Sequence, residues 1–255
     1  MIKLNHVTAG YNKVEIIKNV SVEFEKGSIT SIVGKNGCGK TTLLRTASSL
    51  LIPYRGNVTI GPKDISNISN KELAKKVSFL PQLRMVPNIT VYDLVMHGRY
   101  PYLGFSRTPQ KQDKEIVRES IENMGLDQYI DKNIQELSGG QRQKVYIAMV
   151  LAQNTDIILL DEPTTYLDMN HQLEILEILK RLKLMGKTII MVLHDLGNAL
   201  TYSDKICLME HGEVVIYDTP EAVFESKAID RIFKIRSAQV TVEDKGEMQY
   251  VFYLK

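Results

Sequence analysis

The chain has 255 residues, 44% of them hydrophobic and 24% charged, and its 32 basic and 30 acidic residues leave a formal net charge of +2. This composition is typical of an ordinary globular protein with one core, or a core and a smaller lobe, and the near-neutral charge argues against a nucleic-acid binder. Because the apolar runs are far shorter than a membrane span, no signal-peptide pattern is visible and the two cysteines, Cys38 and Cys207, lie far apart, we expect a cytosolic protein without a disulfide.

The first eighty residues are rich in predicted strands that lead into a glycine-rich loop. Alternating apolar and polar side chains indicate a strand at 21–25, and a nearly continuous apolar run indicates a buried strand at 28–33. The second strand is followed by GKNGCGKT and then by Leu43, Leu44 and Ala47 at helical spacing. This order predicts strand, loop and helix. Further strands are predicted at 57–60 and 77–80.

The loop from Gly34 to Thr41 fits the pattern GxxxxGK[ST], which predicts a phosphate-binding loop. Successive backbone N–H groups of such a loop converge on phosphate oxygens, and the following helix presents its positive end. Lys40 is expected to reach the β- and γ-phosphates, and the Thr41 hydroxyl to bind Mg²⁺. The alternative is a glycine-rich turn with an ordinary surface lysine. The predicted nucleotide-binding residues are Gly34, Lys35, Asn36, Gly37, Cys38, Gly39, Lys40, Thr41 and Thr42.

Helical patterns take over from about residue 86 to residue 153, and strands return after them. The clearest helix covers 110–126 and is expected to stop at its glycine. Apolar strands at 156–163 and 187–195 flank a long helix at 170–186, an alternation that predicts a parallel sheet covered by helices. The remaining predicted elements are a hairpin around His211–Gly212, two short helices beyond Pro220, and a terminal strand pair with a turn near Lys245–Gly246.

Polar side chains stand where the predicted core strands end, which is where ligands bind in parallel sheets. Asp161 and Glu162 follow one apolar strand, and His194 follows the next. We expect Asp161 to hold Mg²⁺, Glu162 to orient and deprotonate the attacking water, and His194 to bridge the γ-phosphate and that water. Gln82, after the strand at 77–80, would offer an uncharged amide to Mg²⁺ or the water. A solvated carboxylate pair and an exposed histidine are the alternatives.

These motifs together resemble those of the nucleotide-binding subunits of ABC transporters. GKNGCGKT, Gln82, LSGGQ at 137–141, ILLDEP, YLD at 166–168 and His194 occur in the order of that family, over about residues 1–220. The resemblance implies an α/β fold: a P-loop NTPase core whose mainly parallel sheet is flanked by helices, with an N-terminal antiparallel β region and an inserted helical lobe. It also implies ATPase activity with ATP and Mg²⁺ as cofactors.

The resemblance further implies a head-to-tail homodimer in which each ATP lies between the phosphate loop of one subunit and LSGGQ of the other. Ser138 and two glycine N–H groups at a helix start would meet the γ-phosphate held by the partner. Asp168 would cross the dimer axis to organise the opposite site, and Tyr11 would stack on adenine. A plain helix cap by Ser138 and a tyrosine that only packs are the alternatives. The residues assigned in this way are Tyr11, Ser138, Gly139, Gly140, Gln141 and Asp168.

The family organisation divides the chain into three parts and places it at a membrane. The expected parts are a nucleotide-binding core at 1–85 and 154–220, a helical lobe at 86–153 that carries the signature, and a small C-terminal extension at 221–255. We expect a peripheral protein on the cytoplasmic side of the cell membrane. Its expected partners are integral permease subunits and, indirectly, an extracytoplasmic substrate-binding protein, with no nucleic acid.

Two stretches, HGRYPYLGFSR at 97–107 and DEPTTYLDMNHQ at 161–172, resemble the ATPases of importers for ferric siderophores, haem and cobalamin. ATPases of zinc, manganese or molybdate importers remain an alternative. A soluble ATPase of the same superfamily acting on nucleic acid or ribosomes is less favoured, because only about one hundred residues without sustained heptads separate the phosphate loop from the signature. The side chains expected to contact the permease, unless their segment merely packs on the helical lobe, are Arg99, Tyr100, Tyr102 and Phe105.

Overall fold

The structure is a computed structural model that describes residues 1–82, 86–104, 108–242 and 247–254. The chain forms two compact units. The terminal unit consists of Met1–Asn67 and Thr188–Lys255, and the central unit consists of Ile68–Lys187.

Strands and helices alternate along much of the chain. The strands are β1 (Ile2–Tyr11), β2 (Val14–Phe24), β3 (Ile29–Gly34), β4 (Arg55–Ile60), β5 (Lys63–Asp64), β6 (Val77–Leu80), β7 (Ile157–Asp161), β8 (Thr188–Val192), β9 (Lys205–Glu210), β10 (Glu213–Asp218), β11 (Ile235–Val242) and β12 (Glu247–Leu254). The helices are α1 (Lys40–Ala47), α2 (Asn70–Leu73), α3 (Val91–Met96), α4 (Lys111–Glu122), α5 (Gly139–Ala152), α6 (Met169–Leu184), α7 (Leu196–Tyr202), α8 (Pro220–Glu225) and α9 (Ala228–Phe233).

An antiparallel sheet in the order β2-β1-β4-β5 opens the terminal unit. β1 and β2 form a hairpin closed by Asn12 (φ 51°) and Lys13 (φ 64°), and two positive φ values in a two-residue loop are the mark of a type I′ turn. Alternate residues of the two strands, among them Leu4, Val22 and Phe24, are buried on one face. The strands predicted at 21–25 and 57–60 are confirmed within β2 and β4.

A mainly parallel sheet forms the core of the terminal unit, in the order β10-β9-β3-β8. β3 pairs in parallel with both β8 and β9, and every residue of β3 and β8 is buried, as the continuous apolar runs predicted. The hairpin of β9 and β10 turns at His211 (φ 51°) and Gly212 (φ 88°), which confirms the predicted turn. β3 ends at Gly34, the first residue of the phosphate loop. Because β3 and β8 are parallel, the carboxyl ends of both strands lie at the same edge of the sheet.

The central unit contains the parallel pair β6 and β7, in register from Val77 opposite Ile157 to Leu80 opposite Leu160. Helix α5 packs on α3, α4 and β6, and most of its apolar residues are buried because it lies inside this unit. The compact unit therefore extends beyond the helical lobe predicted at 86–153, since it includes both strands and α6. The predicted division at 85/86 and 153/154 stays a prediction about functional parts.

The C-terminal residues form α8, α9 and the antiparallel pair β11 and β12. The hairpin contacts α7 and α9, and the Phe224 and Tyr250 rings lie 5.1 Å apart. The turn predicted near Lys245–Gly246 lies outside the described residues. Among the residues that are described, no helix combines the length and the apolar character needed to cross a bilayer.

Candidate nucleotide-binding site

The phosphate loop joins β3 to α1 and packs tightly against its own unit. A Cβ atom on Gly39 (φ 105°) would lie 2.8 Å from a methyl carbon of Ile17, and one on Gly34 would lie 2.6 Å from the Cys38 sulfur. Gly37 (φ 79°) has open space where its Cβ would be. Glycine is thus required on the packed side of the loop by close contacts and at Gly37 by a left-handed backbone. Burial raises the pKa of the Cys38 thiol, so this residue fills space in the loop as a neutral thiol.

The start of α1 differs from most helix starts in the part of the chain that the structure describes, although α9 also lacks a side-chain cap. The N-cap of α1 is Gly39, and no side chain caps it. By contrast, hydroxyl or carboxylate side chains accept from first-turn N–H groups in α2, α3, α5, α6, α7 and α8. The first N–H groups of a helix need acceptors, and at α1 an anion such as phosphate can supply them.

Lys40 folds back over the loop that precedes it. Its ammonium donates to the carbonyl oxygens of Gly34 at 2.8 Å and Lys35 at 3.1 Å, and the residue is only 6% exposed. An ammonium has three N–H donors, so Lys40 can hold the loop in shape and keep one donor for a phosphate. The predicted role of Lys40 fits this geometry.

Two further predicted residues lie in the terminal unit. Tyr11 ends β1, is 40% exposed, and has its hydroxyl 3.4 Å from the Arg45 guanidinium; an exposed ring is available for stacking on adenine. His194 follows β8 and is exposed, and its neighbour Asp195 caps α7 by accepting from the Asn198 N–H at 2.6 Å. The roles assigned to Tyr11 and His194 stay predictions.

The central unit brings together Glu162 and Gln82, two of the residues predicted to act in hydrolysis. The Gln82 amide nitrogen donates to Glu162 Oε2 at 2.7 Å, and the Thr165 hydroxyl donates to the same oxygen at 3.1 Å. Because a carboxylate only accepts, Gln82 directs its NH₂ group to Glu162 and leaves its carbonyl oxygen for another partner. Glu162 has φ 55°, a left-handed backbone that is uncommon outside glycine and typical of functional sites. The sequence analysis missed the bond from Thr165, although its position three residues after Glu162 favours it.

The residues proposed to hold Mg²⁺ supply oxygen atoms only. Asp161 ends β7 and is 3% exposed. The other two predicted Mg²⁺ ligands are the Gln82 carbonyl and the Thr41 hydroxyl. No group of three or more His, Cys, Asp or Glu side chains suited to a metal occurs in the described ranges. A few protein oxygens completed by phosphates and water fit Mg²⁺, which is rarely held by protein ligands alone.

The signature LSGGQ lies at the start of α5, where Ser138 is the N-cap. The Ser138 side chain accepts from the Gln141 N–H at 3.2 Å, and the Gln141 side chain accepts from the Ser138 N–H at 3.0 Å. Gln141 also donates to the Tyr129 hydroxyl at 2.9 Å. The plain helix cap is therefore present, and the three bonds of Gln141 hold the loop that carries Ser138 in place.

The two signature glycines have different surroundings. Gly139 is exposed, and a Cβ there would meet no atom of the described chain within 4 Å. Gly140 is buried, and a Cβ there would overlap the His171 ring, with 2.6 Å to Cγ and 2.8 Å to Nε2. Of these two glycines, only Gly140 packs so closely on other described residues that a Cβ would not fit.

Asp168 is an exposed carboxylate that caps α6. It accepts from the His171 N–H at 3.0 Å, and its two oxygens lie 2.8 Å from His171 Nδ1. The bond from the His171 backbone, followed by that from its ring, lowers the pKa of Asp168. Asp168 is therefore an anion at neutral pH, as its predicted role at the opposite site requires.

The expectation that Arg99 contacts a permease is wrong, because Arg99 is only 5% exposed. It donates to Asp113 at 2.9 Å and to the Ala152 carbonyl at 2.8 Å, and its guanidinium lies 3.9 Å from the centre of the Tyr102 ring. The Tyr102 hydroxyl in turn donates to the Gln153 carbonyl at 2.9 Å. The alternative, packing within the central unit, holds for Arg99, whereas Tyr102 is half-buried and its contact with a permease stays a prediction. Tyr100 is 57% exposed, and Phe105 lies outside the described residues.

Comparison with known proteins adds independent findings. A sequence profile described as ABC transporter matches residues 17–165. The chain is 41% identical to the ferric enterobactin transport ATP-binding protein of Escherichia coli (strain K12), over 90% of this chain and 86% of that protein. It is 42% identical to the iron(3+)-hydroxamate import ATP-binding protein of Bacillus subtilis (strain 168), over 91% of this chain and 87% of that protein. A solved ATP-binding cassette, a dimer in a post-hydrolysis state with ADP and phosphate, is similar with a TM-score of 0.75 and 30% identity, covering 86% of this chain and 99% of that one.

Proposed function

Because the chain belongs to the ABC transporter family, we propose that it is the ATP-hydrolysing subunit of an importer that powers uptake of a ferric siderophore through a membrane permease. The observation that carries this proposal is the similarity, at 41% and 42% identity over nine-tenths of the chain, to two iron-siderophore import subunits. The two relatives are named for different iron chelates, so the proposal names the class of cargo. In this assembly the chain is peripheral, on the cytoplasmic side of the membrane.

Within one subunit, the phosphate loop and the β7 end have separate tasks. The loop N–H groups, the start of α1 and Lys40 bind the phosphates of ATP. Oxygens of Thr41, Gln82 and Asp161 would hold Mg²⁺. When bound, this ion would neutralise part of the phosphate charge. Glu162 accepts a proton from the attacking water and His194 orients that water against the γ-phosphate.

The Gln82–Glu162 bond gives this chain a way to hold its base until the site is complete. Glu162 Oε2 already accepts from Gln82 and Thr165, so the attacking water would have to displace one of these donors to reach that oxygen. Release of the Gln82 NH₂ group from Glu162 would free that oxygen for the attacking water.

Two copies are needed in this proposal because the phosphate loop and the signature that contact one ATP come from different subunits. We assign Ser138, Gly139 and the α5 N-terminus of one subunit to the γ-phosphate bound by the other, and Asp168 to the organisation of that opposite site. ATP then favours the closed dimer over the open one, because ADP lacks the phosphate that both subunits contact.

Transport assays on the reconstituted importer, with its own permease and binding protein, test the cargo. ATP-dependent uptake of ferric hydroxamate or ferric catecholate chelates is expected, and Glu162→Gln should abolish it. Zinc, manganese or molybdate uptake without ferric chelate uptake would contradict the siderophore proposal and favour the alternative importer class. If the full chain hydrolysed ATP but stimulated no membrane partner, the transport role would be contradicted.

A further inference from the structure

His171 lies against both motifs that reach for the partner subunit, although it belongs to neither of them. It is in the first turn of α6, three residues after Asp168. Its ring occupies the space where a side chain on Gly140 would lie, with Cγ 2.6 Å and Nε2 2.8 Å from the position of the missing Cβ. The central unit thus packs this ring directly on the signature backbone.

The other side of the ring is held by Asp168. Nδ1 lies 2.8 Å from each carboxylate oxygen, and since the carboxylate can only accept, Nδ1 carries the hydrogen. The backbone N–H of His171 makes a further bond to Asp168 at 3.0 Å. The ring is therefore oriented by two bonds to one anion, and its remaining edge faces Gly140.

We propose that His171 is a positioning residue that joins the signature at Gly140 to Asp168, so that both elements meet the partner's nucleotide as one rigid surface. This inference rests on the proposed ATP-bound dimer. It gives the second signature glycine a purpose separate from that of the first: Gly140 admits the His171 ring, whereas Gly139 leaves its backbone open to phosphate.

The test changes the side-chain volume at Gly140 and at His171, first separately and then together. Gly140→Ala in the full chain is expected to weaken ATP-dependent dimerisation and to lower kcat by about 10-fold, because the added methyl displaces the ring. Combining it with His171→Ala removes the clash, so the double variant should be no worse than His171→Ala alone. Losses that multiply would show that the two positions act independently and would overturn the proposal.

A conservative variant separates positioning from folding. The side-chain NH₂ of His171→Asn can occupy the place of Nδ1 and keep the bond to Asp168, so this variant should retain kcat within about 3-fold while His171→Ala loses about 10-fold. ATP binding by the separate subunit, measured under dilution, should be unchanged in both. Equal kcat losses in the two variants, or weakened ATP binding in the separate subunit, would contradict a positioning role.

Lys144→Met is the matched control, because Lys144 also ties α5 to α6 through Glu174 at 2.9 Å but contacts neither motif in the described contacts. It should leave kcat within about twofold, since partly exposed ion pairs contribute little; a loss as large as that of His171→Ala would contradict the proposal. If the wild-type chain neither hydrolyses ATP nor dimerises with it, the proposed function fails and this inference with it. If the wild type does both and the Gly140 and His171 effects are uncoupled, only this inference fails.

Discussion

The start of α1 and the start of α5 are both glycine-containing junctions that lead into a helix, but they are finished differently. At α1 no side chain caps the helix, and a buried lysine holds the loop. At α5 a serine and a glutamine cap each other, and Gly139 is open to solvent. The first junction leaves N–H groups to a ligand held inside its own loop; the second is a stable helix end that shows an unobstructed backbone outward. In the proposed function, the first junction binds phosphate within its own subunit, and the second is an open surface for a phosphate that another molecule holds.

The largest effect is expected from Lys40→Ala at the enclosed junction. Loss of a charge-assisted bond of about 1.5–3 kcal/mol should weaken ATP binding by the separate subunit by about 10- to 150-fold. Isothermal titration calorimetry with ATP checks this. ATP binding that is unchanged in the variant would remove the phosphate-loop assignment.

Gly139→Ala should produce the second-largest effect, and at the other junction. A methyl group there meets nothing within 4 Å in the described chain, so thermal stability should stay equal or rise, because alanine favours helix over glycine. Dimerisation with ATP and kcat should fall about 10-fold, because the methyl blocks a phosphate contact. ATP binding by the separate subunit should not change.

Gly104→Ala is the control for that variant, since its added methyl also meets no described atom within 4 Å and lies outside both junctions. It should leave dimerisation and kcat unaffected. If Gly139→Ala behaved like Gly104→Ala, the open backbone at the start of α5 would have no role in ATP binding by a dimer.

Ser138→Ala should lower both the thermal stability and kcat, with a smaller effect than the two variants above. Removing the cap costs about 1 kcal/mol, visible as a lower Tm, and the missing hydroxyl should reduce kcat further. Thr90→Ala is a matched comparison because Thr90 caps α3 in the same unit by accepting from the Asp93 N–H at 3.1 Å. The Thr90 variant should lose similar stability and keep its kcat per folded molecule. Equal kcat losses in the two would show that Ser138 only caps.

The smallest effect concerns pH and Asp168. Its pKa is lowered by bonds from His171, so its stabilising contribution is complete above the ordinary aspartate pKa and disappears as the pH falls through the lowered value. The difference in Tm between wild type and Asp168→Asn should shrink as the pH falls below about 4. A difference that stays constant between about pH 4 and pH 2 would contradict this bonding.

The comparison also shows how far sequence reasoning reaches. Strands β3, β7 and β8, the phosphate loop and the turn at His211 were predictable, because continuous apolar runs and glycine at fixed spacing act locally. The enclosure of Arg99 by Asp113, Ala152 and Tyr102 was not, since it depends on residues up to 53 positions away. From the sequence, LSGGQ is a single motif. The structure shows that its two glycines differ, because Gly140 packs against the His171 ring and Gly139 does not.

The central claim is that a working ATP site takes its phosphate loop from one copy and its signature from the other. Lys40→Ala and Gly139→Arg chains, each nearly inactive alone, can be mixed so that mixed dimers contain one site with both parts intact. The account predicts that ATP hydrolysis reappears on mixing and rises with the fraction of mixed dimers. A mixture that stays as inactive as its two components, although mixed dimers form, would contradict it.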